Sequence, residues 1–191
     1  MMSISNDQVS VDERILDAAA SCVLAMGFGR VTLAEIARRA GVSRPTVYRR
    51  WPDTRSVLAS LLTARVTGAL TQVPTAGTGR AALVARVVAM AELLRHDPVI
   101  MEVLHHDPEL AMVYIVERMG TSQRVVFDAL VDGLTAAQRD GSVRAGDPRR
   151  LAAMVQLITQ STIQSAQIVS PILGAQELAE ELTYALNGYL S

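Results

Sequence analysis

The chain has 191 residues, half of them hydrophobic but only 4% aromatic, with 18 basic side chains against 19 acidic ones and a formal net charge of -1. That length can bury a substantial core, and a composition rich in Ala, Leu and Val but poor in aromatics points to helical packing. One cysteine, Cys22, excludes an intramolecular disulfide, and the start MMSISNDQVS has neither the basic nor the apolar region of a secretory signal, so a cytoplasmic protein is expected.

Ser10-Val11-Asp12-Glu13 has the form of a capping box, in which the Ser10 hydroxyl accepts from the Glu13 amide while the Glu13 carboxylate reaches back. Val11, Ile15, Ala18, Cys22 and Met26 follow at three- and four-residue spacing until Gly27 and Gly29, which predicts a first helix of about four turns with Cys22 as a small core residue. Thr32-Leu33-Ala34-Glu35 repeats the signature and opens a short helix whose inner side is Ile36, Ala37 and Ala40. Gly41 tolerates positive φ, Ser43 caps the next helix, and Pro45 is accepted in its first turn, where an N–H has no helical acceptor. Two short helices around Gly-Val-Ser make a helix-turn-helix.

Pro52-Asp53 ends the third helix, and a fourth is predicted from Thr54 to Gln72 on Val57, Leu58, Leu61, Leu62, Val66 and Leu70. Residues 73–79 form the only long linker. The predicted division is a three-helix helix-turn-helix domain over 1–55 and a second helical domain over 56–191, with the helix before the linker shared between them. Further helices are predicted at about 80–95, 98–105, 108–139, 148–169 and 175–190, in an all-α chain of about nine helices. Asp97-Pro98, Asp107-Pro108 and Asp147-Pro148 each place a capping Asp before a helix-starting Pro, and no alternating strand pattern competes.

Residues 151–176 carry no charge, yet nine of the 20 residues from Leu151 to Ser170 are Gln, Ser or Thr. That is too polar for a lipid-facing helix, so no membrane is expected. A helix uncharged on every face must still be covered on most sides, and one side can pack on its own domain and the other on a second chain.

The basic charge is unevenly placed. From Arg30 to Arg55 seven arginines face only Glu35 and Asp53, a sum of +5, so the remaining residues carry -6. On a helix over 44–51, Val47 and Trp51 face inward against Ile36, Ala37 and Ala40, leaving Arg44, Thr46, Tyr48, Arg49 and Arg50 outside, with Ser43 and Pro45 at its start. Guanidinium forks suit phosphate oxygens and the O6/N7 edge of guanine, and Thr and Tyr add hydroxyls and apolar surface. An ordinary solvated charged face accounts for neither the exposed Tyr nor the agreement of turn, caps and inward pair with a groove-docking geometry.

The run "GFGRVTLAEIARRAGVSRPTVYRRWPDTRSVL" resembles the DNA-binding domain of the tetracycline-repressor-like (TetR) transcriptional regulators. Over about residues 10–60, Gly27-Phe28, Thr32, Ile36-Ala37, Ala40-Gly41-Val42-Ser43, Thr46, Tyr48 and Trp51-Pro52 stand at the family's spacing. The resemblance implies that Thr32, Tyr48 and Arg50 hold phosphates and that Arg44, Thr46 and Arg49 meet bases. Thr54 stands where the family commonly has Lys, and Arg55 is the expected substitute.

The resemblance also implies a four-helix homodimer interface from the last two helices. Leu157, Gln164 and Ile168 are the candidates on one helix, and Leu178, Leu182, Ala185 and Tyr189 on the other. It implies an effector pocket among the helices from about 80 to 169 without identifying the lining, for which Met90, Leu94, Met101, Leu104, His105, Met112, Val116, Met119, Phe127, Gln160 and Gln164 are the candidates on the predicted helices. The methionines are equally suited to filling a core. Gln156, Gln160 and Gln164, spaced i, i+4, can line a cavity, hydrogen-bond across the dimer or form a partly solvated stripe.

His96, His105 and His106 with Asp97, Glu102 and Asp107 raise a metal or catalytic reading. They adjoin Asp-Pro helix starts and include no helical i, i+4 His pair and no Cys partner, so caps and turns account for them. Gly-x-Ser-x-Gly and phosphate-loop motifs are absent from the chain. No metal, cofactor or catalytic residue is therefore expected. The expectation is a homodimeric, ligand-responsive repressor that binds a palindromic double-stranded DNA operator and is released by a small, largely apolar effector. The same fold acting on DNA, or as an activator, without an effector is the alternative.

Overall fold

Side-chain caps set where six of the helices begin in the computed structural model, which describes residues 10–74, 76–106 and 121–191. Ser10 and Glu13 form the reciprocal capping box of α1 (Val11–Met26). Thr32 accepts from the Glu35 amide at 3.2 Å to open α2 (Leu33–Ala40), and Ser43 accepts from the Thr46 amide at 3.3 Å to open α3 (Arg44–Arg50). Between them Gly41 adopts φ 64°, the left-handed conformation that ends α2 and turns the chain into α3. Asp53 caps α4 (Thr54–Gln72) through the Ser56 amide, and Asp97 accepts from the Val99 and Ile100 amides at the start of α6 (Pro98–His106). The intervening helix is α5 (Gly79–His96).

Three more helices complete the described chain: α7 (Thr121–Arg139), α8 (Pro148–Val169), capped by Asp147, and α9 (Ala175–Leu190). A single 3-10 turn, Phe28–Arg30, follows α1 and was not part of the sequence expectation. The fold is all-α, with nine α-helices and no strand among the described residues. The helix expected over 108–139 is described from Thr121, and Asp107-Pro108 lies outside the described residues.

Two apolar clusters organise these helices. The first joins Ile15, Cys22, Ile36 and Val47 of α1, α2 and α3 to Val57, Leu58, Leu61 and Leu62 of α4 and Val99 and Val103 of α6. The second joins α5, α7, α8 and α9 around Val84, Leu134, Val155, Leu186 and Leu190. The N-terminal half of α4 and one face of α6 thus belong to the core that carries α3. Burial also pushes the Cys22 thiol up, which fits a packing residue.

Candidate nucleic-acid interface and interhelical cavity

The position of α3 is set from its inner side. Val47 is completely buried against the first core, and Trp51 packs beside it while its indole N–H donates to the Ser60 hydroxyl at 2.9 Å. The Ser60 hydroxyl in turn donates to the Ser56 carbonyl, so α3 is keyed to the first turns of α4. Arg14 of α1 donates to the Ala40 and Gly41 carbonyls at 2.7 and 3.3 Å, closing the α2 end of the turn. What remains outside is Arg44, Pro45, Tyr48, Arg49 and Arg50, with Thr46 partly covered and Thr32 exposed at the start of α2.

The arginines of the basic segment divide into two groups. Arg30 donates to the Met26 carbonyl, and Arg38 and Arg39 both bind the Glu35 carboxylate, at 2.6 and 2.9 Å. Those two side chains hold the Glu35 carboxyl well below its usual range, to about 2. Arg50 pairs with Asp12 of α1 and also donates to the Thr46 carbonyl. Arg44, Arg49 and Arg55 make no hydrogen bond or ion pair among the described residues. They are the cations on this surface that can bind an anion without first surrendering a partner.

The two hydroxyls expected near DNA are partly committed. Thr46 and Ser43 share a hydrogen bond of 2.7 Å between their side-chain oxygens, so Thr46 offers chiefly its methyl group to the outside. Tyr48 is half exposed at 53% and unconstrained by any protein hydrogen bond among the described residues. Three unpaired guanidinium groups and an exposed phenol around a helix of two turns can contact a polyanion and its base edges.

Below this domain lies a partly open cavity of about 220 Å³ lined by residues of α4, α5, α6, α7 and α8. Met90, Leu94, Leu104, Gln160 and Gln164, all expected at a ligand site, line it. Phe127 does not: it is buried in the second core with the Arg149 guanidinium 5.1 Å over its ring, and α7 instead presents Gln123, Val126, Ala129 and Leu130. Met101 also stays outside the lining. Met112, Val116, Met119 and the side chain of His105 lie outside the described residues. Gln156, on the same i, i+4 ladder, lines the cavity with an Oε1 that is buried and without a hydrogen-bond partner.

Leu62 and Val103 line the cavity and belong to the first core as well. The wall of the cavity is therefore also the support of the helix-turn-helix. The sharing of α4 was expected from its place before the linker, whereas the part of α6 was not, because the periodicity of a short helix does not show that one of its faces meets two environments.

The two C-terminal helices leave an uncovered apolar stripe. Met154, Leu157 and Ile168 on α8 and Tyr184 on α9 are exposed, Ile168 at 79% and Tyr184 at 80%. Ala185 is exposed beside Tyr184, and Gln164 is partly covered because it faces the cavity. Leu182, expected on an intersubunit face, is buried in its own subunit's core, since residues 182, 186 and 190 form the inward stripe of α9. Leu178 is half-buried beside it, and Tyr189 packs on the second core with Arg144 stacked 4.7 Å over its ring. The outward face of α9 is thus turned towards 184 and 185.

His96 is exposed, with Nδ1 2.7 Å from the Glu92 carbonyl that accepts from it, and Asp97 caps α6; among the described residues no group of three or more His, Cys, Asp or Glu side chains is placed to hold a metal ion. No described helix is long and apolar enough to cross a membrane.

Residues 15–61 match the family model described as bacterial regulatory proteins of the tetR family. Over 190 residues, spanning the whole of both chains, this protein is 63% identical to an uncharacterized HTH-type transcriptional regulator of Mycobacterium bovis. Its fold is similar to that of the transcriptional regulator FadR from Bacillus subtilis in complex with stearoyl-CoA, with a TM-score of 0.65 at 19% identity over 93% of this chain and 98% of that one. It is likewise similar to SmeT in its triclosan complex, with a TM-score of 0.63 at 23% identity over 92% and 90% of the two chains. The family-model match over the helix-turn-helix and the full-length relative agree, and the chain belongs to the TetR family of bacterial transcriptional regulators.

Proposed function

We propose that this regulator is a cytoplasmic homodimeric repressor, not an enzyme, that inserts α3 into the major groove of each half of a palindromic operator and leaves the DNA when a small, mainly apolar effector occupies the cavity. The single observation that carries the reading is the sharing of Leu62 and Val103 between the cavity wall and the core beneath α3. An effector that spreads α4 and α6 cannot do so without moving the support of the reading helix. The effector must bind the DNA-incompetent arrangement more tightly, since equal affinity for both arrangements shifts nothing.

In this reading Arg44 and Arg49 meet base edges with the Thr46 methyl. Thr32, Ser43, Tyr48 and Arg55 hold phosphates, with Pro45 fixing the first turn of α3. Arg50 joins the phosphate contacts when it exchanges Asp12 for DNA. One reading helix buries too little surface for tight specific binding, and two copies joined along α8 and α9 supply half-sites roughly 34 to 36 Å apart. The exposed Leu157, Ile168 and Tyr184, with Ala185, are the surface such pairing would cover.

Selection of bound fragments from the native genome tests the proposal. The expected result is a short inverted repeat that shifts as a discrete complex containing two subunits. Recovery of fragments without a shared motif, or a complex of one subunit per site, would overturn it.

A further inference from the structure

The cavity walls are apolar apart from a few groups, and those groups carry an asymmetry of charge. Arg86 of α5 lines the cavity in register with Leu83 and Met90, and is the one charged residue among the described lining. It is partly covered, and its guanidinium makes no hydrogen bond or ion pair among the described residues. Elsewhere the half-exposed Arg65 is near Asp97 at 3.7 Å, whereas no described carboxylate lines the cavity to serve Arg86. A guanidinium held against apolar walls without a counter-charge is costly, and a carboxylate meets its fork with two parallel hydrogen bonds.

The α8 wall adds hydrogen-bonding capacity that the protein does not use. Gln156, Gln160 and Gln164 occupy successive turns of the lining, and none of their side chains hydrogen-bonds within the described protein. The Gln156 Oε1 is buried without a donor. Rotating that amide presents its NH2 at the same place, so the wall can donate to an anion as well as accept from a hydroxyl. The volume of about 220 Å³ exceeds the roughly 150 Å³ that holds a benzene and falls short of the roughly 300 Å³ at which drug-sized sites begin.

We propose that the cavity is selective for a compact amphiphilic monocarboxylate, with an apolar body of roughly eight to twelve heavy atoms against the Leu, Val and Met walls and its carboxylate on Arg86. This rests on the reading of the cavity as the effector site and names the chemistry of its ligand. A neutral ligand of the same shape leaves Arg86 unpaired, and a cation opposes it.

Calorimetric titration of the full-length protein with octanoate, 1-octanol and octylamine, three linear eight-carbon probes with different heads, tests the proposal. Octanoate is expected to bind at least tenfold more tightly than 1-octanol, and octylammonium more weakly than both. Arg86→Gln is expected to abolish the preference for octanoate while leaving 1-octanol within about twofold, and Arg86→Lys to restore part of that preference. Equal binding of octanoate and 1-octanol in the native protein, or a preference that survives Arg86→Gln, would overturn the anionic selectivity and leave the cavity as an effector site for neutral compounds. Arg86-dependent binding of octanoate that leaves operator affinity unchanged would support the selectivity and overturn the effector reading. Binding of none of the three would overturn both.

Discussion

At the scale of single residues, the partners of each arginine decide what it can do. Arg50 is held by Asp12 across the surface between α3 and α1, so a phosphate must compete with a carboxylate for it. Both side chains are substantially exposed, and such a pair is worth about 0 to 1 kcal/mol. Asp12→Asn is therefore expected to tighten binding to operator and non-operator DNA alike, by no more than about fivefold, in fluorescence-anisotropy titrations. Unchanged or weaker binding would instead make Asp12 the residue that aims Arg50. Glu35 supplies the pH dependence of this surface. Its carboxyl is lowered from 4.5 to about 2 by Arg38 first and Arg39 second, so the charged form is favoured in the folded protein. The stabilisation is complete above 4.5 and disappears as the pH falls from there towards about 2. Urea midpoints of native protein and Glu35→Gln should differ above that window and converge as it is crossed; a constant difference would show that the ion pairs contribute nothing.

At the scale of elements, the caps were legible because each is a short-range contact. Ser10, Thr32, Ser43, Asp97 and Asp147 all accept from an amide two or three residues ahead, a geometry fixed by residue type and spacing alone, whereas Asp53, expected only to end the third helix, caps the fourth as well. Val47 and Trp51 were legible for the same reason, being four apart on a helix that has one protein side. The cavity was less so, since its walls come from five helices and a one-residue difference in phase separates Phe127, in the core, from Val126, in the lining. The two apolar faces of α9 posed a similar problem: Leu182 and Tyr184 both fit a helical stripe, and only packing on α5 and α8 shows which faces inward. Exposure makes α8 and α9 the place to test pairing. Burying Ile168 in an isologous interface counts twice, so Ile168→Glu should weaken dimerisation by roughly 3 to 6 kcal/mol. Light scattering should then report monomer at micromolar concentration, with helix content retained; an undiminished dimer would place the interface elsewhere.

At the scale of the whole molecule, two cores meet along α4 and α6, and the cavity is at their junction. A ligand there and DNA on α3 are expected to be coupled, and the coupling free energy must be the same whichever is added first. In the proposed function, the basic segment of this weakly acidic chain is the reading end and the other half carries the control. Its arginines are also fewer than their number implied, because Arg30, Arg38, Arg39 and Arg50 have protein partners and Arg44, Arg49 and Arg55 do not. Operator binding by Arg49→Ala across every single-base variant of the selected site tests whether a dimer reads DNA through α3. The prediction is a loss of about 1 to 3 kcal/mol of discrimination at one position in each half-site, symmetrically placed, with other positions unaffected. Full discrimination at all positions would contradict it.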